Sequence, residues 1–257
     1  MIPKIIHYCW FGRGEMPKLM KKCLKSWKKY CPDWKVVRWD EENFDVNSTL
    51  WTKQAYEEKK YAFVSDYVRM KALYEMGGVY LDTDVELVQG IDEFLKHDAF
   101  VGFESPDAVQ TGVMASVAGQ PMIKEWLDWY TDRPYLVDGK PNMNPNVFFV
   151  TDSLKKRGLK LDDTMQNIDG MVIFPQTYFC PLSLVEVEKK ITKDTHAIHH
   201  FTSTWRTEKA RKDFARVKRH QTWWYRTWEK VQILPQTTMR RLFGDDTIER
   251  WKKKLGK

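Results

Sequence analysis

The chain has 257 residues, is 42% hydrophobic and 30% charged, and has a formal net charge of +7, so it can build one sizeable core and its length does not demand two full domains. No stretch approaches about 18 consecutive apolar residues, which excludes a membrane-spanning helix. The cysteines lack CxxC or Cys/His zinc spacing, and we expect reduced thiols at all four positions, Cys9, Cys23, Cys31 and Cys180.

The N-terminal segment predicts a buried strand, a helix and a second strand, in that order. We place them at Lys4 to Trp10, Pro17 to Tyr30 and Trp34 to Trp39 from their apolar periodicity. This order predicts an α/β sandwich with a mixed, mainly parallel sheet between helices. The first apolar run is too short for a signal peptide and has no small-residue cleavage site, so we expect a cytoplasmic protein.

A further helix is predicted over Ala62 to Met76, because apolar residues recur at helical spacing and Gly77-Gly78 follows as a stop. Asp66 and Arg69 lie three residues apart on this helix and share a face. They could form a surface salt bridge, or they could present a hydroxyl acceptor and a fixed cation to a ligand. Because the glycine turn leads straight into the next strand, we expect both residues to line a pocket at that strand's end.

Two carboxylates follow the next predicted strand, which begins at Val79. If the backbone stays extended, Asp82 and Asp84 point to the same side, since side chains at i and i+2 share a face. Such a pair at the carboxyl end of a strand suits Mg²⁺ or Mn²⁺ held together with substrate phosphates. The alternative for a bare Asp-x-Asp pair is a solvated turn. Nucleotides bind α/β sheets at these strand ends, where Trp10 is also expected.

Downstream, a strand is predicted over Ala99 to Phe103, followed by a segment of small residues over 112–117. A polar, turn-rich stretch then surrounds Asn144 and Asn146. These two amides could bind hydroxyl groups, or they could be turn residues and nothing more.

A histidine pair follows a short apolar stretch near residue 198. Adjacent residues in an extended segment face opposite ways, so only one of His199 and His200 should point into the site. Histidine is an acceptable ligand for Mn²⁺, and we prefer His200 for this role. The alternative is a structural pair in a late strand.

The basic excess of the chain lies in its C-terminal segment. From Trp205 onward there are 16 Lys or Arg against 6 Asp or Glu, which leaves 26 against 29 in the rest of the chain. The segment contains five tryptophans, at positions 205, 223, 224, 228 and 251. Basic residues interleaved with Trp fit an anionic membrane surface, a nucleic acid, or a solvated helix whose Trp side chains pack on the core. We favour the membrane surface and expect no nucleic-acid partner.

Three segments, in the right order, resemble the glycosyltransferases of family 32, whose sugar-binding region contains a DxD motif. The longest segment looks like the family signature: Ser65-Asp66-x-x-Arg69-x-x-x-Leu73-x-x-x-Gly77-Gly78-x-Tyr80-Leu81-Asp82-x-Asp84. The opening is similar to the family's first strand: Ile2-Pro3-Lys4-Ile5-Ile6-His7-x-x-Trp10-x-Gly12. A C-terminal element also resembles the family's: His199-His200-x-x-x-Ser203-x-Trp205. The last fifty or so residues resemble nothing in the family.

The resemblance implies a GT-A-like nucleotide-sugar-binding fold over residues 1–204, with residues 205–257 as a basic helical extension. It implies that Trp10 stacks on the nucleotide base and that Ser203 and Trp205 close over the phosphates. Tyr80 would be a wall of the pocket near the donor ribose or a core residue under the sheet.

The same resemblance implies four residues at the catalytic centre: Asp66, Arg69, Asp82 and Asp84. Asp82 and Asp84, with His200, would hold Mn²⁺ or Mg²⁺ against the donor diphosphate. Asp66 and Arg69 would hold the hydroxyls of the donor sugar.

The implied activity is transfer of a hexosyl unit from a nucleoside diphosphate sugar, with a UDP-sugar favoured. The acceptor would be a hydroxyl of a glycan or lipid-linked glycan, and the anomeric configuration would be retained. By analogy with small members of the family, this predicts a role in bacterial capsule or surface polysaccharide synthesis, on the inner face of the cell membrane.

Two other classes of function remain open. Asp82-x-Asp84 after an apolar strand also resembles the start of a haloacid-dehalogenase-type phosphatase motif, but that pattern has Thr or Val where this chain has Glu86. A non-catalytic nucleic-acid-binding module could be built on the basic C-terminal segment. Neither alternative accounts for all three matching segments.

Overall fold

The computed structural model describes residues 1–182 and 191–202. Its helices are α1 Lys18–Tyr30, α2 Leu50–Glu57, α3 Tyr61–Met76, α4 Pro121–Asp128, α5 Asn146–Lys156 and α6 Gln176–Phe179, with a 3-10 helix at Asp92–Lys96. Its strands are β1 Ile5–Cys9, β2 Lys35–Trp39, β3 Gly78–Leu81, β4 Val85–Leu87, β5 Ala99–Ser105, β6 Ala108–Val109, β7 Val113–Ser116, β8 Leu136–Val137, β9 Lys140–Pro141, β10 Gln166–Ile168, β11 Met171–Phe174 and β12 Ala197–His199.

The centre of the described part is a mixed sheet with the order β10-β11-β5-β7-β3-β1-β2, and β6 pairs with β5 beside it. Strands β2, β1, β3, β5 and β11 run in one direction, whereas β7 and β10 run against them. The predicted α/β class with a mixed, mainly parallel sheet is therefore confirmed. Two short antiparallel pairs, β4 with β12 and β8 with β9, lie outside this sheet.

A hydrophobic core covers each face of the sheet. Helices α2, α3, α4 and α5 contribute to the first core, and α1, the 3-10 helix and α6 contribute to the second. Tyr80 of β3 belongs to the first core, whereas its neighbours Val79 and Leu81 belong to the second. This alternation is the two-residue period of a strand buried on both faces.

The predicted N-terminal elements lie within a residue or so of the observed β1, α1 and β2. A turn follows β2 at residues 40–43, where the Asn43 side chain accepts from the Asp40 N–H. Helix α2 begins only at Leu50, where Thr49 caps it by accepting from the Thr52 N–H.

The glycine turn between α3 and β3 fixes the strand that leads to the carboxylates. Gly77 and Gly78 have φ angles of 64° and 110°, and a Cβ on either would lie 2.7 Å from a backbone atom of a neighbouring segment. His7 Nε2 lies 2.8 Å from the Gly77 carbonyl oxygen, and Trp39 Nε1 donates to His7 Nδ1 at 3.1 Å. These bonds hold β1, β2 and the glycine turn together beneath the site.

The four cysteines are all buried and free, in line with the expected reduced thiols. Within residues 1–182 and 191–202, no helix is long and apolar enough to cross a bilayer. The predicted extension over 205–257, and with it the predicted boundary at 204, lies outside the described residues.

Candidate functional site

Asp82 and Asp84 lie in a tight turn between β3 and β4. The expectation of an extended backbone here is wrong: β3 ends at Leu81, and the Val85 N–H donates to the Asp82 carbonyl at 2.9 Å. The carboxylates converge nonetheless, because the turn folds them toward each other. One ligand atom each from Asp82, Asp84 and His199 lies within 4.8 Å of the other two.

The pairing of β4 with β12 decides which histidine joins the carboxylates. The antiparallel register sets His199 opposite Val85, one residue beyond Asp84, and His199 Nε2 lies 3.3 Å from Asp84 Oδ1. The His200 ring points elsewhere, with Nε2 2.9 Å from Glu86 Oε2. The predicted metal ligand of the pair is thus corrected from His200 to His199. Adjacent side chains in a strand face opposite ways, and the β4–β12 register turns His199 toward Asp84.

Asp84 is buried and held by hydrogen bonds that sequence reasoning missed. The backbone N–H and the hydroxyl of Thr202 both donate to Asp84 Oδ2, at 2.8 and 2.7 Å. Phe201, with a φ of 51°, stacks on His199 in the turn that brings Thr202 back to the carboxylate. The sequence signal that could have indicated this contact is a threonine two residues after the His-His pair.

The electrostatics of this turn favour an ionised carboxylate. Burial alone would raise the pKa of Asp84, but His199 and the two Thr202 bonds lower it well below its usual range. Burial alone would lower the pKa of His199, but the Asp84 carboxylate raises it well above its usual value. Without a cation, the pair is therefore an imidazolium and a carboxylate.

Asp82, Asp84 and His199 together suit a divalent cation that binds both carboxylate oxygen and imidazole nitrogen. Two carboxylates and one imidazole are ligands that Mn²⁺ accepts. Nδ1 of His199 is buried and makes no conventional hydrogen bond to a described residue, although the ring interacts with the Cys180 thiol. A Cβ on Gly112 would lie 3.0 Å from Asp82 Oδ2 and 3.1 Å from His199 Nδ1, so the glycine leaves open the space that these two atoms face.

Arg69 connects the turn to helix α3. Its Nη2 lies 2.9 Å from Asp66 Oδ1 and 3.3 Å from Asp82 Oδ1, and the guanidinium stacks on Tyr80 at 4.6 Å from the ring centroid. The Tyr80 hydroxyl donates to Asp82 Oδ1 at 3.0 Å. The predicted gathering of Asp66, Arg69, Asp82 and Asp84 at one edge of the sheet is what the structure contains. Tyr80, 1% exposed, is a core residue that orients Asp82.

The same arginine reaches a second segment. Its Nη1 donates to the Thr111 carbonyl at 2.6 Å, and the Thr111 hydroxyl donates to Asn146 Oδ1 at 2.7 Å. Thr111 was not predicted as a site residue. Burial raises the pKa of Asp66 to about 7, with Arg69 opposing and Asp82 adding to the rise.

Asp66 also lines a cavity of about 450 Å³ on the α3, α4 and α5 side of the sheet. Asn144 and Asn146 lie on its wall: Asn144 is exposed, and Asn146 is the buried first residue of α5. Asn146 is therefore a buried helix residue and not simply a turn residue, which was one of the two alternatives that the sequence left open. Buried Tyr130, which the sequence analysis did not single out, lines the cavity too.

Trp10 lies at the end of β1, and its Nε1 donates to the Gly14 carbonyl at 2.8 Å. A Cβ on Gly12 would lie 2.2 Å from the Tyr61 ring, so packing against Tyr61 accounts for this glycine. Base stacking by Trp10 stays a prediction. Ser203 and Trp205 lie outside the described residues.

The fold and the site define an α/β protein with a mixed, mainly parallel sheet and a carboxylate site beside its strand ends. Residues 17–101 match the sequence model described as "Glycosyltransferase sugar-binding region containing DXD motif". The chain thus contains this glycosyltransferase region, and the family resemblance is confirmed.

Two fungal proteins are similar to part of the chain. Inositol phosphoceramide mannosyltransferase 3 of Schizosaccharomyces pombe is 33% identical over 126 residues, which are 48% of this chain and 35% of the relative. A mannosyl phosphorylinositol ceramide synthase of Saccharomyces cerevisiae is 30% identical over 146 residues, 53% of this chain and 38% of the relative. The chain spans little more than a third of the length of these curated relatives.

Among solved structures, a glycosyltransferase involved in the glycosylation of the major capsid of PBCV-1 aligns with a TM-score of 0.44 at 13% identity. The alignment covers 84% of this chain and 100% of the other.

Proposed function

We propose that this protein is a metal-dependent glycosyltransferase that moves a hexosyl unit from a nucleoside diphosphate sugar to a hydroxyl group. The observation that carries the proposal is the convergence of Asp82, Asp84 and His199 beside the buried Asp66–Arg69 pair. The match of residues 17–101 to the glycosyltransferase sugar-binding region supports the same function.

Asp82, Asp84 and His199 would hold Mn²⁺ or Mg²⁺. The bound ion would supply Lewis-acid stabilisation of the charge that develops on the leaving diphosphate. Thr202 keeps Asp84 oriented and ionised, and the Tyr80 hydroxyl orients Asp82 by donating to it. The side chains are thus arranged before substrate binds, which lowers the reorganisation needed in the transition state.

Arg69 and Asp66 would position the donor. The guanidinium is buried and already contacts Asp66, Asp82 and the Thr111 carbonyl, so its planar geometry fixes the relative positions of helix α3 and the carboxylate turn. In this arrangement Asp66 remains an acceptor for a sugar hydroxyl. Correct positioning of reacting atoms at about 3 to 3.5 Å is a large part of such catalysis.

For the transferred unit we propose mannose, because the names of both fungal relatives specify mannosyl transfer. The same names specify a phosphoinositol-ceramide acceptor for those proteins, which favours an inositol-bearing lipid here over bacterial capsule. The preference for a UDP-sugar stays a prediction. The donor screen described below therefore includes GDP-linked as well as UDP-linked hexoses.

The transfer proceeds with retention in our proposal. The acceptor oxygen attacks the anomeric carbon from the face that the diphosphate leaves, the bond between this carbon and the phosphate oxygen breaks, and the leaving phosphate takes the acceptor proton. The configuration of the product, determined by NMR, tests this route.

The basic segment after Trp205 is proposed to bring the enzyme to an anionic membrane surface on the cytoplasmic side. Co-sedimentation of the full chain with anionic and with neutral vesicles tests this. Equal recovery in both pellets would contradict the proposal.

The function is tested by a donor screen. The purified full chain is incubated with UDP- and GDP-linked hexoses and Mn²⁺ or Mg²⁺, and released nucleoside diphosphate is measured with and without chelator. Slow, chelator-sensitive release from one donor is expected. No release together with no metal-dependent binding of UDP or GDP would refute the proposed function.

A further inference from the structure

Helix α1 presents a row of lysines to solvent that the proposed reaction does not use. The helix has 13 residues, of which six are Lys and none is Asp or Glu. All six lysines are exposed: Lys18, Lys21, Lys22, Lys25, Lys28 and Lys29. Because each residue advances by about 100° around an α-helix, these positions share one side, opposite the buried Met20, Cys23 and Trp27. We call this side of α1 the lysine face.

Most of the lysine face has no counter-charge. Lys21 Nζ lies 2.7 Å from Glu15 Oε1, and Lys22 Nζ lies 2.8 Å from Glu86 Oε1. The other four lysines form no ion pair with any residue in 1–182 or 191–202. Lys25 has a further lysine three and four residues away in both directions, and like charges at these distances repel each other on a helix. An anionic partner would relieve this repulsion.

Helix α1 is fixed to the strand that follows the carboxylate turn. The Trp27 Nε1 donates to the Val85 carbonyl at 2.8 Å, and the Leu87 N–H donates to the Ser26 hydroxyl oxygen at 2.9 Å. Val85 follows Asp84 directly and begins β4. A surface that docks on the lysine face would therefore be held in one orientation relative to the turn.

The chemistry of the lysine face favours a bilayer over a nucleic acid. The face contains no Arg, the residue that recognises nucleic-acid phosphates with a rigid fork of donors, and no exposed aromatic ring that could stack on a base. The apolar side of α1 is buried in the second core, so the helix cannot insert into lipid. What remains is a row of hydrated point charges, which suits the diffuse negative potential of anionic headgroups.

We propose that the lysine face of α1 binds an anionic membrane surface, with lipid headgroups as its partner. This surface belongs to the folded part of the chain and is distinct from the basic segment after Trp205. The inference rests on the proposed function in one respect, the lipid acceptor, which a bilayer at this face would present beside the carboxylate turn.

Neutralising the unpaired lysines in the full chain tests the inference. The α1 variant combines Lys18→Gln, Lys25→Gln, Lys28→Gln and Lys29→Gln, and it keeps the two lysines that form ion pairs. Gln and Lys have similar helix propensities, and like-charge repulsion is removed, so the thermal stability should not fall.

The matched control changes four exposed lysines outside α1 and therefore has the same net charge. It combines Lys53→Gln, Lys140→Gln, Lys156→Gln and Lys160→Gln. Both variants and the wild type are sedimented with vesicles of phosphatidylcholine alone or mixed with phosphatidylserine. We expect the control to bind the anionic vesicles nearly as the wild type does, and the α1 variant to bind them roughly tenfold or more weakly. Added salt should reduce the difference, because it screens exposed charges.

Equal binding of the anionic vesicles by the two variants would overturn the inference, as would a wild type that does not bind them. Loss of binding to a DNA oligonucleotide in the α1 variant, with vesicle binding unchanged, would assign the face to nucleic acid and also overturn it. The proposed function is judged separately, by chelator-sensitive donor hydrolysis without lipid, which the α1 variant should retain. A vesicle-binding defect of the α1 variant in a protein that neither hydrolyses a donor nor binds nucleoside diphosphate would support the membrane face and refute the proposed function.

Discussion

The turn that carries Asp82 and Asp84 contacts Arg69, whereas the cavity is lined by Asp66, and the two regions pair their polar groups differently. In the turn, Asp84 is satisfied by His199 and Thr202, and Asp82 by Arg69 and Tyr80. In the cavity, the Tyr130 hydroxyl and the Asn146 Nδ2 face each other, and neither is bonded to another of the described residues.

This difference shows which part of the site the protein organises by itself. Charges cannot be buried alone, so three segments, namely α3, β3 and residues 199–202, supply counter-charges and hydrogen bonds to the carboxylates of the turn. Neutral polar groups cost less to leave weakly paired, so the cavity wall can hold the Tyr130 hydroxyl and the Asn146 Nδ2 against each other without a further partner among the described residues. Mutations in the turn should therefore affect both structure and turnover, and conservative mutations in the cavity should affect binding alone.

The largest expected effect comes from the turn. Asp84→Asn keeps the shape of the side chain but removes the charge that faces His199, and we expect chelator-sensitive turnover to fall roughly a thousandfold, corresponding to several kcal/mol of metal-dependent stabilisation. Mn²⁺ binding, followed by electron paramagnetic resonance, should weaken in parallel. Glu86→Gln, two residues away and directed at His200, is the control and should retain turnover. Normal turnover in Asp84→Asn would break the metal assignment.

Next is Arg69, which joins the two regions. Arg69→Met leaves Asp66 and Asp82 without their buried cation, and we expect a loss of roughly 3–5 kcal/mol in the free energy of unfolding. Urea denaturation measures it. Arg13→Met removes an exposed ion pair with Glu42 and should change stability little. If Arg69→Met and Arg13→Met have the same free energy of unfolding, the ion-pair network around Arg69 does not stabilise the fold.

The histidine pair sharpens the comparison within the turn. His199→Asn should weaken Mn²⁺ binding about 10- to 100-fold, because one ligand of three is lost. His200→Asn alters the adjacent residue, whose ring contacts Glu86, and should bind Mn²⁺ as the wild type does. Titration of both variants with Mn²⁺ decides between them. The reverse order of affinities would restore His200 as the ligand.

The smallest effect concerns His7, beneath the site. Burial lowers the pKa of His7 below its usual 6.5, and its Nδ1 accepts from Trp39, so the folded state holds the neutral ring. The stability from this group is complete above about pH 6.5. It declines as pH falls below that value, by up to about 1.4 kcal/mol per unit, since the unfolded chain takes up the proton first. Urea titrations at several pH values should give a shallower decline for His7→Gln, and parallel curves would contradict the assignment.

Much of the site could be predicted because its residues lie close together in sequence. The spacing of Asp66 and Arg69 on one helix and the glycine turn into β3 bring both next to Asp82 without long-range information. The backbone at Asp82 and Asp84 is a turn and not extended as predicted. The two carboxylates still converge, because a turn between two strands also brings them together.

The amino-acid sequence by itself determined the α/β class, the order of the elements and the carboxylate motif, since these depend on local periodicity and short spacings. Only the tertiary structure decided that His199 and not His200 joins Asp84, because this depends on the register between β4 and β12, two strands more than 100 residues apart in the chain. It alone brought Thr111, Tyr130 and Asn146 together with Asp66, on segments that meet only when α3, α4 and α5 pack on the same face of the sheet. Contacts of this kind depend on how distant elements fill a shared core, and no local pattern encodes them.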